Sequence, residues 1–183
     1  MVRIMHKDIG DILFSEETIT ARVRELGAEI ASDYGDKNPL LVGVLKGSFI
    51  FMADLLRAID APVSVDFLAA SSYGDKAFTS GKVDLTKAVP ADTVKGRDVI
   101  LVEDILDTGV TLKYLKEYMG TLGPASVKIC VFLDKVTRRQ VDVEADYVGF
   151  VCPDEFVVGY GLDYSERYRN LKYIGSLKPE VYS

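Results

Sequence analysis

The stretch Val99-Ile-Leu-Val-Glu-Asp-Ile-Leu-Asp-Thr-Gly-Val-Thr-Leu112 gathers unusual chemistry into fourteen residues. An apolar run leads into Glu103 and Asp104, then into Asp107, Thr108, Gly109, Val110 and Thr111, and an amphipathic stretch follows. In open α/β sheets this position, past the carboxyl end of a strand, is where ligands bind. Two hydroxyls, a glycine and the N–H groups of a helix start make a cradle for phosphate. Three carboxylates beside a phosphate would repel it unless they face another part of the same ligand. Sugar hydroxyls, a divalent cation or a proton to be abstracted would each serve. The segment therefore asks for a phosphorylated sugar with free hydroxyls, together with a metal.

Rival readings of the same letters are weaker. No G-x-x-x-x-G-K-[ST] loop occurs. Asp107-Thr108-Gly109 matches the D-T-G of aspartic proteases, which pair two aspartates over one water. That motif belongs to all-β chains, and no second D-[ST]-G is present here. A solvated acidic turn is the bland alternative, and three carboxylates within five residues at a strand end disfavour it.

The elements that must position these residues follow from periodicity. Ser15 can cap a helix over residues 15–34, with Glu16 and Glu17 in its positive first turn and Ile19, Val23, Leu26 and Ile30 at helical spacing. Leu40–Leu45 reads as a strand buried on both faces, and Phe49–Ile59 as a second helix. Val63–Leu68, Val99–Val102, Val127–Leu133, Tyr147–Val151 and Phe156–Val158 read as further strands. After the D-T-G, Leu112, Leu115, Met119 and Leu122 share a helical face, which Gly120 or Gly123 can end. Strands alternating with helices predict an α/β fold with a mostly parallel central sheet flanked by helices. Ser71–Lys82 is long, polar and glycine-punctuated. It reads equally as a functional loop or as a β-hairpin with a long tip.

Composition narrows the classes. The chain has 183 residues, a formal net charge of −6, 48% hydrophobic residues and 27% charged ones. These values fit one ordinary globular domain and exclude disordered and fibrous classes. The acidic balance argues against nucleic acid as a partner. No apolar run reaches the ~18 residues of a membrane span, and the N-terminal stretch lacks the continuous apolar run expected of a signal peptide. Cys130 and Cys152, both in apolar runs, read as buried thiols in a reducing cytoplasm rather than a disulfide or zinc site.

The segment VEDILDTGVTL resembles the phosphoribosyl-pyrophosphate signature of the type I phosphoribosyltransferases. Four more blocks, in order, resemble the bacterial hypoxanthine-guanine members of that family: LKGS at Leu45–Ser48, SSYG at Ser71–Gly74, LDK at Leu133–Lys135 and DEFVVGYGLDYSERYRNL at Asp154–Leu171. The resemblance runs from about residue 8 to the C-terminus. It implies one domain over 1–183: a core of about 15–150, a small hood from the N-terminal arm and about 151–183, and a lid over 71–82. It implies transfer of a 5-phosphoribosyl group from phosphoribosyl pyrophosphate to N9 of hypoxanthine or guanine, giving IMP or GMP and pyrophosphate.

By the same resemblance, Glu103 and Asp104 hold the ribose hydroxyls with Mg²⁺, and Thr108, Gly109 and Thr111 cradle the 5′-phosphate. Asp107 faces N7 of the base as general acid/base. Lys46, Gly47 and Arg169 meet pyrophosphate, and the Leu45–Lys46 peptide can be cis. Lys135 donates to the purine O6, Phe156 stacks on the base, and the Val157 backbone meets its C2 edge. Asp163, counted with both the base and the metal residues, binds a second Mg²⁺ through the pyrophosphate. Ser71, Ser72, Tyr73 and Gly74 belong to the lid. A homo-oligomer, dimer or tetramer, and a cytoplasmic location complete the expectation. Without the resemblance, Leu45–Ser48 reads as a plain turn capped by Ser48, Lys135 as a solvated lysine of KVTRR, Phe156 as core strand and Arg169 as a surface arginine. The alternative function is a nucleotide-binding regulator of transcription on the same fold, which net charge −6 disfavours.

Overall fold

The computed structural model describes residues 7–72 and 83–182. In chain order it begins with β1 (Ile9–Phe14), α1 (Glu16–Tyr34), β2 (Leu40–Leu45), α2 (Phe49–Ala58), β3 (Ser64–Ser72) and β4 (Val83–Lys87). It continues with α3 (Ala91–Val94), β5 (Asp98–Leu106), α4 (Val110–Thr121), β6 (Ser126–Asp134), β7 (Tyr147–Val151), β8 (Val157–Val158), β9 (Ile174–Leu177) and α5 (Pro179–Tyr182). Short 3-10 turns occupy Gly35–Lys37 and Val136–Arg138.

Six strands form one sheet in the order β4-β3-β2-β5-β6-β7, parallel except for β4, which runs antiparallel to β3. The mostly parallel α/β reading is therefore correct. Alternation along each central strand feeds two cores. Leu41, Ile100, Val102, Cys130 and Phe132 face the side covered by α1 and α2. Leu40, Val42, Val99, Leu101, Ile129 and Val131 face the side covered by α4. On α1, the Ser15 hydroxyl accepts from Thr18 N–H at 3.3 Å, and Ile19, Val23, Leu26 and Ile30 are buried at the expected spacing. Gly27 lets α1 approach α2, since a Cβ there would lie 2.5 Å from the Ala58 carbonyl oxygen. Gly123, at φ +74°, follows the end of α4.

Several elements are longer than, or absent from, the sequence reading. β5 continues four residues past Val102, because β6 supplies partners for its end: Glu103↔Val131, Ile105↔Leu133 and Leu106↔Asp134. Glu103 and Asp104 thus lie on the strand itself. A second sheet, in the order β1-β9-β8, is antiparallel, and only β8 was anticipated from sequence. Register shifts between Ile9 and Ile12 and between Ile12 and Phe14 blur the alternation that would have marked β1.

The backbone of Ser71 and Ser72 ends β3 and pairs with Asp84 and Val83, so the stretch enters and leaves as a hairpin. Tyr73 and Gly74, with the tip to Lys82, lie outside the described residues. Both cysteines are free and buried; burial pushes the Cys130 thiol up and that of Cys152 up to about 11. Among the described residues no helix is long and apolar enough to cross a membrane.

Candidate active site

A pocket of about 220 Å³ opens where β5 hands over to α4. Its lining includes Glu103, Asp104, Asp107, Thr108, Gly109 and Thr111, six of the predicted site residues. Gly109 precedes α4 at φ +84°, a conformation that disfavours side chains, and a Cβ there would meet Val143 Cγ1 at 2.6 Å. No side chain caps α4; within the loop, Val110 N–H reaches Thr108 Oγ1 at 3.5 Å. Helix N–H groups without a cap, beside two threonine hydroxyls, form an anion site whose dipole favours phosphate.

The opposite wall is acidic. Burial raises the Glu103 carboxyl well above the usual carboxylate range, and the adjacent Asp104 carboxyl raises it further. Burial also raises Asp104, although the Glu103 carboxyl, its own backbone contacts and the Arg169 charge pull it back. Two crowded carboxyls in a poorly hydrated pocket call for a hard cation or for hydroxyl donors. Mg²⁺ fits that donor set, because it takes oxygen ligands and keeps several waters. Among the described residues no cluster of three or more carboxylate, histidine or cysteine ligands occurs. Oxygens of a substrate would therefore have to complete the shell.

The Lys46–Gly47 turn follows Val44 and Leu45, which line the pocket. The Leu45–Lys46 peptide is cis. Ser48 does not cap α2: it is helical in backbone, fully buried, and its hydroxyl donates to Val44 O at 2.6 Å. The plain capped turn is thereby corrected, since the hydroxyl turns back to the strand. Gly47 lies directly on the Asp104 carboxyl, for a Cβ there would stand 1.7 Å from Asp104 Oδ2. Gly161, at φ +105°, backs the same turn, with a built Cβ 2.1 Å from Gly47 O. The Arg169 guanidinium donates to Gly161 O at 2.8 Å and pairs with Asp163 Oδ1 at 2.7 Å. Asp163 Oδ2 accepts Glu166 N–H at 2.8 Å, and Glu166 meets Lys46 Nζ at 3.1 Å. Arg169 is thus no ordinary surface arginine. The predicted pyrophosphate residues Lys46, Gly47 and Arg169, with Asp163, share one network.

This seam yields a prediction. Gly47→Ala must displace either the Asp104 carboxyl or the turn, and overpacking of this kind costs about 1–3 kcal/mol. We expect a lowered Tm by calorimetry and loss of ligand binding to the pocket. A variant with wild-type values in both would show that the turn yields freely.

Base-side residues cluster at the ends of β5 and β6. Lys135 follows β6, and its N–H donates to Leu106 O at 2.9 Å. Its side chain is buried, 5% exposed, and Nζ donates to Glu155 O at 2.6 Å. The solvated-lysine reading is corrected: the segment 153–157 folds over the stem. Phe156 is 39% exposed, stacks on Tyr182 at 4.9 Å and meets Tyr164 edge-on. The core-strand reading of Phe156 is corrected too, because β8 begins one residue later, with Val157 buried and paired to Ser176. Lys135, Phe156 and Val157 do not line the pocket itself; they stand beside its Asp107 end.

Two residues outside the sequence-based set address Asp107. Arg138 Nε lies 3.0 Å from Asp107 Oδ1. Arg139 donates to Asp107 O at 2.6 Å and Leu106 O at 3.2 Å, and pairs with Asp134. The signal was a basic pair directly after the strand carrying Lys135, at the ligand-binding edge of the sheet.

Comparison with known proteins agrees with this geometry. Residues 11–165 match the family model of the phosphoribosyl transferase domain. The chain is 52% identical over 179 residues to hypoxanthine-guanine phosphoribosyltransferase of Bacillus subtilis (strain 168), covering 98% of this chain and 99% of that protein. It is 53% identical over 179 residues to the bifunctional protein TilS/HprT of Listeria monocytogenes serotype 4b, covering 98% of this chain but spanning only 28% of that protein's length. A hypoxanthine phosphoribosyltransferase from Staphylococcus aureus superposes with a TM-score of 0.94 at 48% identity, over 100% of this chain and 99% of the other.

Proposed function

This chain belongs to the phosphoribosyl transferase family, and from that premise we propose that it is a purine-salvage enzyme acting on hypoxanthine and guanine. It moves the 5-phosphoribosyl group of phosphoribosyl pyrophosphate to N9 of the base, giving IMP or GMP and releasing pyrophosphate. The carrying observation is the pocket lined by both an uncapped helix start and a half-buried carboxyl pair, one part for a phosphate and one for sugar hydroxyls. The six-stranded sheet is its core, and the three-stranded sheet its hood.

In this reading Thr108, Gly109 and Thr111 hold the 5′-phosphate, and Glu103 and Asp104 accept from the 2′- and 3′-hydroxyls. Glu103 and Asp104 would hold one Mg²⁺ together with the ribose hydroxyls, and Asp163 a second through the pyrophosphate; the ions would supply charge neutralisation to that leaving group. Lys46 and Arg169 grip that pyrophosphate from the chain's side, a task suited to a guanidinium fork. The C1′–oxygen bond to pyrophosphate breaks as the C1′–N9 bond forms, and Asp107 takes the proton from N7. Lys135 donates to O6, Phe156 stacks on the ring, and the Val157 backbone faces C2. Assembly as a dimer or tetramer and a cytoplasmic setting, in keeping with two free thiols, belong to the same proposal.

The test is to incubate the protein with phosphoribosyl pyrophosphate, Mg²⁺ and each purine base separately, and to follow nucleotide formation. Hypoxanthine and guanine should be converted. Chelating the divalent cation should abolish turnover while the far-ultraviolet circular dichroism stays unchanged. Absence of IMP with hypoxanthine would overturn the reading.

A further inference from the structure

One oxygen of Asp107 is already spoken for. Oδ1 is fully buried and makes no hydrogen bond, yet Arg138 Nε stands 3.0 Å away as an ion-pair partner. The Asp107 side chain is nevertheless 38% exposed, so its accessible surface falls on its other atoms. Arg138 also reaches Asp154 Oδ1 at 3.5 Å, on the segment that leads into Phe156. Exposed ion pairs contribute little to stability, and Arg138 is 48% exposed, so this contact is poorly explained as a fold staple.

The turn that carries Arg138 is itself fixed. Arg138 N–H donates to Lys135 O at 3.1 Å, and Gln140 N–H donates to Thr108 O at 2.9 Å, so the 3-10 turn is tied to the loop after β5. Residues three apart eclipse one another on such a turn. Lys135 and Arg138 therefore leave it on one side, and both contact residues 154–155. Arg139 meanwhile grips the Leu106 and Asp107 carbonyls. The backbone of Asp107 is set by one arginine and its carboxyl torsion by the next.

We infer that Arg138 is a positioning residue for the transfer reaction: it holds Asp107 Oδ1 so that the other carboxylate oxygen faces the base proton. The inference rests on the proposed reaction. A near-attack geometry lost by about an ångström can cost ~10²-fold in rate, so a rotating carboxylate is expensive.

The test compares wild type, Arg138→Ala, Arg138→Lys, Asp107→Asn and the double variant Asp107→Asn/Arg138→Ala. With hypoxanthine, Arg138→Ala should lower kcat about tenfold or more, leaving the KM for phosphoribosyl pyrophosphate within about twofold. Arg138→Lys keeps a cation at the carboxyl and should recover much of the loss. In the Asp107→Asn background, Arg138→Ala should add almost nothing, because the two act as a unit. Matching Tm values separate this from misfolding, and Arg138→Lys serves if alanine destabilises. Wild-type kcat in Arg138→Ala, a loss confined to KM, or an equal further loss in the Asp107→Asn background would each overturn the inference. No turnover by the wild-type protein would instead overturn the reaction reading, and this assignment with it.

Discussion

Asp107→Asn should fold, bind phosphoribosyl pyrophosphate and transfer its sugar to hypoxanthine about 10²–10⁴-fold more slowly than the wild type, the usual contribution of a general acid–base group. Asparagine has the same shape, so the pocket lining persists. Its amide cannot take the proton that N7 must lose. The other carboxyls cannot substitute, because Glu103 and Asp104 lie earlier on β5, coupled to each other and with Asp104 packed against Gly47. The measurement is single-turnover nucleotide formation beside equilibrium binding of phosphoribosyl pyrophosphate. A wild-type rate would remove Asp107 from the chemistry; lost binding with an unchanged chemical step would move it to the sugar.

Adenine should be turned over about 10⁴–10⁵-fold less efficiently than hypoxanthine, as for a site built around a hydrogen bond that the analogue cannot complete. Lys135 is the reason. An ammonium has three donors and no acceptor, so it pairs with a 6-oxo group and not with a 6-amino group. Its side chain is 5% exposed and one donor is taken by Glu155 O at 2.6 Å, which aims the head rather than leaving it to solvent. At the C2 edge, the backbone carbonyl contact proposed near Val157 would accept from guanine's amino group, tolerate hypoxanthine's hydrogen and repel xanthine's oxygen. The expected order is hypoxanthine and guanine, then xanthine, then adenine. Lys135→Ala should depress kcat/KM for both 6-oxopurines and leave phosphoribosyl pyrophosphate binding nearly unchanged. Comparable rates on adenine and hypoxanthine would sink the Lys135 assignment.

The central sheet was readable because its strands are short apolar runs separated by helices of clean 3.6 periodicity. Leu40–Leu45, buried along nearly its whole length, is the clearest case. The phosphate and carboxyl walls were readable because their residues are contiguous between Glu103 and Thr111. What sequence hid is what distant segments supply. Lys135 looks solvated until residues 153–157 fold over it, and Arg138 looks like surface charge until the turn after β6 lies against Asp107. Phe156 and Arg169 needed the family resemblance, since an aromatic at a strand start and an arginine in a polar loop carry no signature of their own. β9 is four residues containing a glycine and a serine, too short to show a period.

The junction between β5 and β6 sets a limit on redesign. Lys135 N–H is bonded to Leu106 O, and Leu106 pairs with Asp134, so Asp107 and Lys135, the proposed proton acceptor and O6 donor, leave neighbouring strands at matched heights. The spacing of their backbones follows the inter-strand distance of ~4.8 Å, which no side-chain substitution changes. A programme of directed evolution toward bulkier or shifted heterocycles would gain little at these two positions. The adjustable margin lies in the segment 153–156, whose Glu155 carbonyl and Phe156 ring belong to a loop and not to the ladder. Libraries confined to that loop should give altered base choice with turnover retained, whereas libraries at Leu106, Asp107, Asp134 and Lys135 should give mostly inactive chains.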